Sequence, residues 1–265
     1  MVELELSKDE LTLKNFILSR SILKKDGEDT NMLCALSPKQ FKVLKNDKLA
    51  FTIISYLFSR EKLVITDGTN YKLFNFEKLP NFRNVENVGD FDCSFNHLKS
   101  LKNAPRNVAG NFNCAANELV SLEHAPEKVG GDFNCDLNRL RNLKGAPWRI
   151  QGSFTCSNNF WDENSRLYDL EGAPIIVEGD FFCYNSGLCG LYGAPKVVGG
   201  NFACNDNEIE SLMYAPEYVG GNFYCNNNDI SYFDTDLIYV VGEIHCEDNI
   251  MPPKKLRKLF TENGR

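Results

Sequence analysis

Ten cysteines and three histidines in 265 residues invite a reading as metal or redox chemistry. Zinc requires thiolates or imidazoles converging on one point, and sequences supply this with close pairs such as C-x2-C. No such pair occurs. Eight cysteines instead keep one long interval. Cys93, Cys114, Cys135 and Cys156 are 21 residues apart, and so are Cys183, Cys204, Cys225 and Cys246. The step from Cys156 to Cys183 is 27, so six residues are inserted there, around Trp161 to Arg166. One thiol per long interval is the mark of a small apolar residue repeated in an interior. A reduced structural column is expected, with no metal and no cofactor, and with Cys34 and Cys189 outside it. His97, His124 and His245 are scattered, and G-x-S-x-G, P-loop and H-E-x-x-H patterns are absent. Asp and Asn residues on neighbouring strands could suggest calcium, but calcium loops need converging carboxylates at set spacing. The expectation is a protein that is not an enzyme.

The elements that position the cysteines follow from the same period. The unit reads V-x-G-x-F-x-C-x-x-N-x-L-x-x-L-x-x-A-P. Phe91, Phe112, Phe133, Phe154, Phe181, Phe202 and Phe223 share one column, which Ile244 closes. Asn96, Asn117, Asn138, Asn159, Asn207, Asn228 and Asn249 share another, broken by Ser186. F-x-C alternates, so it predicts a short strand with Phe and Cys on one face. Such a strand cannot bury its own face, but stacking identical units can, in a parallel sheet. An Asn in every unit answers a turning backbone's need for a partner that both donates and accepts. Gly ahead of the strand predicts close backbone approach or positive φ, and Ala-Pro predicts an extended return arm.

F-x-C-x-x-N-x-L resembles the L-x-L-x-x-N-x-L core of leucine-rich repeats. The short unit, with Pro in its return arm, is similar to the small repeats of bacterial secreted effectors. The mixture with frequent Val-Gly-Gly resembles repeats in proteins of large tailed bacteriophages. Val stands four, not three, residues before Phe, which departs from the leucine-rich pattern. The resemblance covers roughly 85–251. It implies a leucine-rich-repeat-type β-solenoid with a concave parallel sheet, used for binding.

The remaining chain divides around that array. Residues 1–80 do not repeat. Ser7-Lys8-Asp9-Glu10 begins a capped helix, Ser37-Pro38 a second, and apolar Leu49 to Phe58 a buried third. Residues 63–74 predict a hairpin. This gives a small α+β N-terminal cap domain over 1–80, an eight-repeat solenoid over 81–251, and a basic capping helix over 252–265. Net charge is +2, −13 and +4 in those three parts. The acidic array favours a basic or mixed partner surface over nucleic acid. The composition offers no membrane span, and the acidic N-terminus does not look like a secretory signal, so a cytoplasmic protein is expected.

With Phe and Cys inward, their neighbours face outward. The first half of that face is small, polar and acidic. The second half gains Phe182, Tyr184 and Tyr224, beside Asp180, Asn201, Asn222 and His245. Exposed aromatics among polar groups are the usual interface anchors. These residues, with Trp161 on the insertion, form the expected partner-binding site. The leading expectation is a phage protein that recognises and modulates a host protein, such as a defence component, in the host cytoplasm. Two alternatives stand beside it: an acidic nucleic-acid mimic filling a basic cleft, and a small enzyme in 1–80 targeted by the repeats.

Overall fold

The computed structural model describes residues 89–160, 166–232 and 238–263, with short pieces at 63–64, 69–70, 72, 76–79, 81–83 and 85–86. The helices expected within 1–58 and the insertion residue Trp161 lie outside the described residues.

The repeats stack as a parallel β-solenoid, and each coil contributes two strands of two residues. The odd-numbered strands are β1 (Leu63–Val64), β3 (Val85–Glu86), β5 (Asn107–Val108), β7 (Lys128–Val129), β9 (Arg149–Ile150), β11 (Ile176–Val177), β13 (Val197–Val198), β15 (Tyr218–Val219) and β17 (Tyr239–Val240). The even-numbered strands are β2 (Thr69–Asn70), β4 (Phe91–Asp92), β6 (Phe112–Asn113), β8 (Phe133–Asn134), β10 (Phe154–Thr155), β12 (Phe181–Phe182), β14 (Phe202–Ala203), β16 (Phe223–Tyr224) and β18 (Ile244–His245). All nine even strands form one sheet in chain order. The odd strands form a second face in three pieces, β1-β3, β5-β7 and β9 through β17.

This second face follows from the Val column. Val108, Val129, Ile150, Val177, Val198 and Val219 are buried, each four residues ahead of a buried Phe. Two inward residues at that spacing need a corner between them, and Gly110 and its equivalents supply it. The repeat therefore carries two short strands per coil where one was expected.

Of the hairpin expected over 63–74, the strands Leu63–Val64 and Thr69–Asn70 are described, and they do not pair with each other. β1 pairs with β3 and β2 with β4, both in parallel. The solenoid thus begins one coil earlier than the F-x-C motif does. Thr69 and Asn70 occupy strand positions on that coil, not a hairpin turn.

The interior is a set of stacked columns. The Phe and Cys columns are buried, as are Leu98, Leu101 and their counterparts. Successive Phe rings lie 5.0–5.8 Å apart. The 27-residue step leaves this intact: Phe154 pairs in register with Phe181, and their rings are 5.5 Å apart. Each L-x-x-A closes as a β-turn, with Ala104, Ala125 and Ala146 N–H donating to Leu101, Leu122 and Leu143 oxygens. The third turn residue sits at positive φ, as Asn103, His124, Gly145, Gly172, Gly193 or Tyr214.

Two polar ladders tie coil to coil. In the first, Asn138 is fully buried and its Nδ2 donates to the carbonyls of Cys114 (3.1 Å) and Cys135 (3.1 Å). Its Oδ1 accepts from Leu119 N–H at 3.1 Å. Asn117, Asn159, Asn207, Asn228 and Asn249 likewise reach back to the previous coil's cysteine carbonyl. Ser186 substitutes with its hydroxyl, which donates to the Cys156 carbonyl at 3.0 Å. The second ladder uses the residue before each even strand. Asp90 accepts from Asn111 N–H, Asn111 from Asp132, and Asp132 from Ser153, at 2.7–2.8 Å. This explains the Gly column. A Cβ on Gly110, Gly131 or Gly152 would collide with the side-chain oxygen of Asp90, Asn111 or Asp132. Close approach, not positive φ, is why those positions are glycine.

At the C-terminal end, α1 (Pro253–Asn263) closes the sheet. Leu256 is fully buried, and Arg257 Nε donates to the Ile244 carbonyl of the edge strand. Among the described residues no helix is long and apolar enough to cross a membrane.

Candidate partner-binding surface

The outer face of the nine-stranded sheet is built by the residue between each Phe and Cys. In register these are Asp92, Asn113, Asn134, Thr155, Phe182, Ala203, Tyr224 and His245. The polar members serve the local backbone: Asp92, Asn113 and Asn134 accept from the N–H two residues ahead. From Phe182 onward the column carries rings at three of its four positions, Phe182, Tyr224 and His245.

The rings gather in two pairs. Phe182 and Tyr184 lie 6.4 Å apart, tilted. Tyr224 stacks on His245 at 4.6 Å, with an interplanar angle of 8°. Between the pairs sits Ala203, only 6% exposed although its column faces outward. All four rings are half-buried. The expected anchors are therefore brought together, but as a partly closed cluster and not as freely exposed rings.

Asp180, Asn201 and Asn222 flank this cluster and belong to the second ladder. Asn201 N–H donates to Asp180 Oδ1 (2.6 Å), Asn222 N–H to Asn201 Oδ1 (2.8 Å), and Glu243 N–H to Asn222 Oδ1 (2.8 Å). Asn222 Nδ2 also donates to the Tyr224 hydroxyl at 2.9 Å. These three residues hold the coils together and fix Tyr224, which leaves little of them for a partner.

A second surface escaped the sequence reading. On the outer side of the odd strands, Val197, Tyr218 and Tyr239 are exposed and in register, with Tyr218 and Tyr239 stacked at 5.8 Å. Trp148, 61% exposed, and Ile175 stand one residue before strands β9 and β11. Tyr192 and Tyr214, both 54% exposed, meet edge to face at 5.4 Å on the turn side. The signal was present in two columns, the residue before each Val and the residues after each second Leu. Both turn aromatic only in the later copies.

The cysteines of the column offer no chemistry to a partner. Burial pushes the Cys114, Cys135, Cys156 and Cys183 thiols well above their ordinary range. The Cys135 and Cys183 thiols donate to the Thr155 and Ala203 carbonyls. Cys189 differs: it is half-buried and receives a hydrogen bond from Arg166 Nη2 at 2.8 Å. Burial and the nearby Glu208 still raise its pKa against the pull of that guanidinium. Among the described residues no group of three His, Cys, Asp or Glu is placed to hold a metal ion.

The geometry defines a repeat protein of the parallel β-solenoid class. Compared with known protein families, curated proteins and solved structures, the chain matches none.

Proposed function

We propose that the solenoid is a non-catalytic recognition scaffold that binds another protein through the outer face of its nine-stranded sheet. The observation that carries this is the cluster of Phe182, Tyr184, Tyr224 and His245 around Ala203. Elsewhere the same column holds Asp, Asn and Thr, so the rings are no requirement of the coil. Large amphipathic rings, already restrained by neighbours, lose little freedom on binding and make good anchors. The −13 charge of 81–251 suits a basic or mixed partner surface. The finer reading, a phage protein acting on a host protein in the host cytoplasm, rests on the resemblance of its repeats.

Nucleic-acid mimicry is the weaker reading. Asp90, Asp132 and Asp180 commit oxygens to inter-coil bonds. Glu171, Glu178 and Glu217 pair with Lys144, Arg149 and Lys196. Six of the 24 carboxylates of 81–251 are thus engaged within the solenoid instead of standing free as a row of phosphate mimics. The enzyme reading of 1–80 concerns residues that lie mostly outside the described ones.

Affinity capture from bacterial lysate tests the proposal, comparing the intact chain with a Phe182→Ala/Tyr224→Ala variant. A stoichiometric protein partner is expected, weakened about a hundredfold or more by the double change. Recovery of no such partner, or equal capture by both forms, refutes it.

A further inference from the structure

A groove of about 650 Å³ runs beside the Asn ladder, lined in part by Asn158, Phe160, Tyr184, Asn185, Asp206 and Asn227. Asn158, Asn185, Asp206 and Asn227 are one column on four successive coils, all in the left-handed region with φ of 50–58°. The column covers three strand spacings, about 14 Å. The groove is therefore long enough for an extended ligand lying along the solenoid.

Its polar atoms are of mixed kind. Asn185 Nδ2 donates to Asn158 Oδ1 at 2.9 Å, and Asn227 Nδ2 donates to Asp206 Oδ1 at 2.6 Å. Among the described residues this leaves Asn158 Nδ2 as a donor, with Asn185 Oδ1 and Asn227 Oδ1 as acceptors. The charged members are already engaged. Asp206 also accepts from Asn205 Nδ2, and Glu208, which also lines the groove, pairs with Arg166 at 2.8 Å. An anion would meet no unpaired cation here, and the one carboxylate without a counter-charge, Asp206, already accepts amide hydrogen bonds on both oxygens. Two rings complete the lining. Phe160 is 42% exposed and is seated over Gly187, where a Cβ would come within 2.8 Å of its ring. Tyr184 is half-buried.

We propose that this groove binds a neutral, polyhydroxylated chain, a linear oligosaccharide. A hydroxyl both donates and accepts, so vicinal hydroxyls match a row of mixed amide donors and acceptors. Ligands that only donate or only accept would leave some of that row unmatched. The C–H face of a sugar ring is apolar and suits Phe160 and Tyr184. This site is separate in chemistry from the protein-docking cluster, although Tyr184 borders both.

The test uses the full chain with three neutral probes, cellotetraose, maltotetraose and tetra-N-acetylchitotetraose, followed by titration calorimetry and saturation-transfer NMR. At least one probe is expected to bind saturably. Phe160→Ala and Asn185→Gly should each weaken it about tenfold. Phe160 lies outside the core, and Gly tolerates the left-handed φ of position 185, so both variants keep the fold. Tyr239→Ala, on the face of the odd-numbered strands and away from the groove, should leave binding unchanged. No saturable binding of any probe overturns the proposal. So does unaltered affinity in both variants, or preferential displacement of the probe by a tetra-arginine peptide.

Discussion

Replacing Leu137 by Asn should stabilise the protein by about 1 kcal/mol. The position precedes the ladder residue Asn138 and is held at φ 55°. Its column continues as Asn158, Asn185, Asp206, Asn227 and Asp248, residue types that tolerate the left-handed region. The first copies place Phe95, Ala116 and Leu137 there instead. For an ordinary L-residue that conformation costs roughly 1–2 kcal/mol, and Asn recovers a large part of it through local hydrogen bonds. Leu137 is 43% exposed, so the burial lost is partial, about 1 kcal/mol, and a new inter-coil amide hydrogen bond offsets it. The new amide would also stand one coil from Asn158, where Asn185 already bonds at 2.9 Å. The control is Leu137→Ala, which removes the same exposed side chain and keeps the backbone cost. Equilibrium urea unfolding should place Leu137→Asn above both wild type and the Ala variant, with a melting rise of roughly 2–4 °C. If the Asn and Ala variants melt together, the left-handed column carries no strain and the stabilisation has no source.

Three further outcomes rest on the same architecture. Asn138→Asp should destabilise by about 3 kcal/mol or more in chemical denaturation, because a carboxylate cannot donate to the Cys114 and Cys135 carbonyls; a loss under about 1 kcal/mol would deny the ladder its role. Gly131→Ala should be destabilising through its collision with Asn111 Oδ1, and adding Asn111→Ala should cost less than the sum of the two changes; strict additivity in a double-mutant cycle would place the strain elsewhere. Burial raises the folded-state pKa of the thiols of Cys93, Cys114, Cys135, Cys156, Cys183 and Cys204. The stability they contribute is complete below the unfolded thiol value, about 8.5, and is lost as pH climbs from there toward the folded values, by about 1.4 kcal/mol per pH unit for each thiol. A urea midpoint that stays flat from about pH 8 to 10 under reducing conditions would contradict this.

The parallel solenoid was legible in the sequence because its interior is periodic. Phe112, Cys114, Asn117, Leu119 and Leu122 recur with so little variation that side-chain direction follows from the column alone. The Val strand was less visible. Two residues cannot display alternation, and the burial of Val108 becomes evident only when the corner at Gly110 is known. The coil at 63–70 was hidden for a related reason: Thr69 stands where later copies have Phe, so its turn-like neighbours Asp67-Gly68 suggested a hairpin. For the binding face, sequence placed Phe182, Tyr184 and Tyr224 together. It could not show that Asp180, Asn201 and Asn222 point oxygens at the next coil's backbone, because a ladder rung and a surface amide look alike in one dimension. The aromatic run ending at Tyr218 and Tyr239 was missed because its column begins with Asn107, Lys128 and Arg149, which give no hint of the tyrosines in later copies.

The stacking along one axis also has a mechanical meaning. The bonds from each ladder Asn to the previous coil's cysteine carbonyl, and every strand pairing, join one coil to the next along the direction in which the solenoid grows. A load applied between its two ends therefore falls on the coil interfaces in series, and the weakest gives way first. Each release would free 21 residues, about 70 Å of extended chain, and the one step carrying the insertion would free 27, about 90 Å. The molecule behaves under tension as a chain of equal links with a single long one, and that link marks the position of the break along the pull.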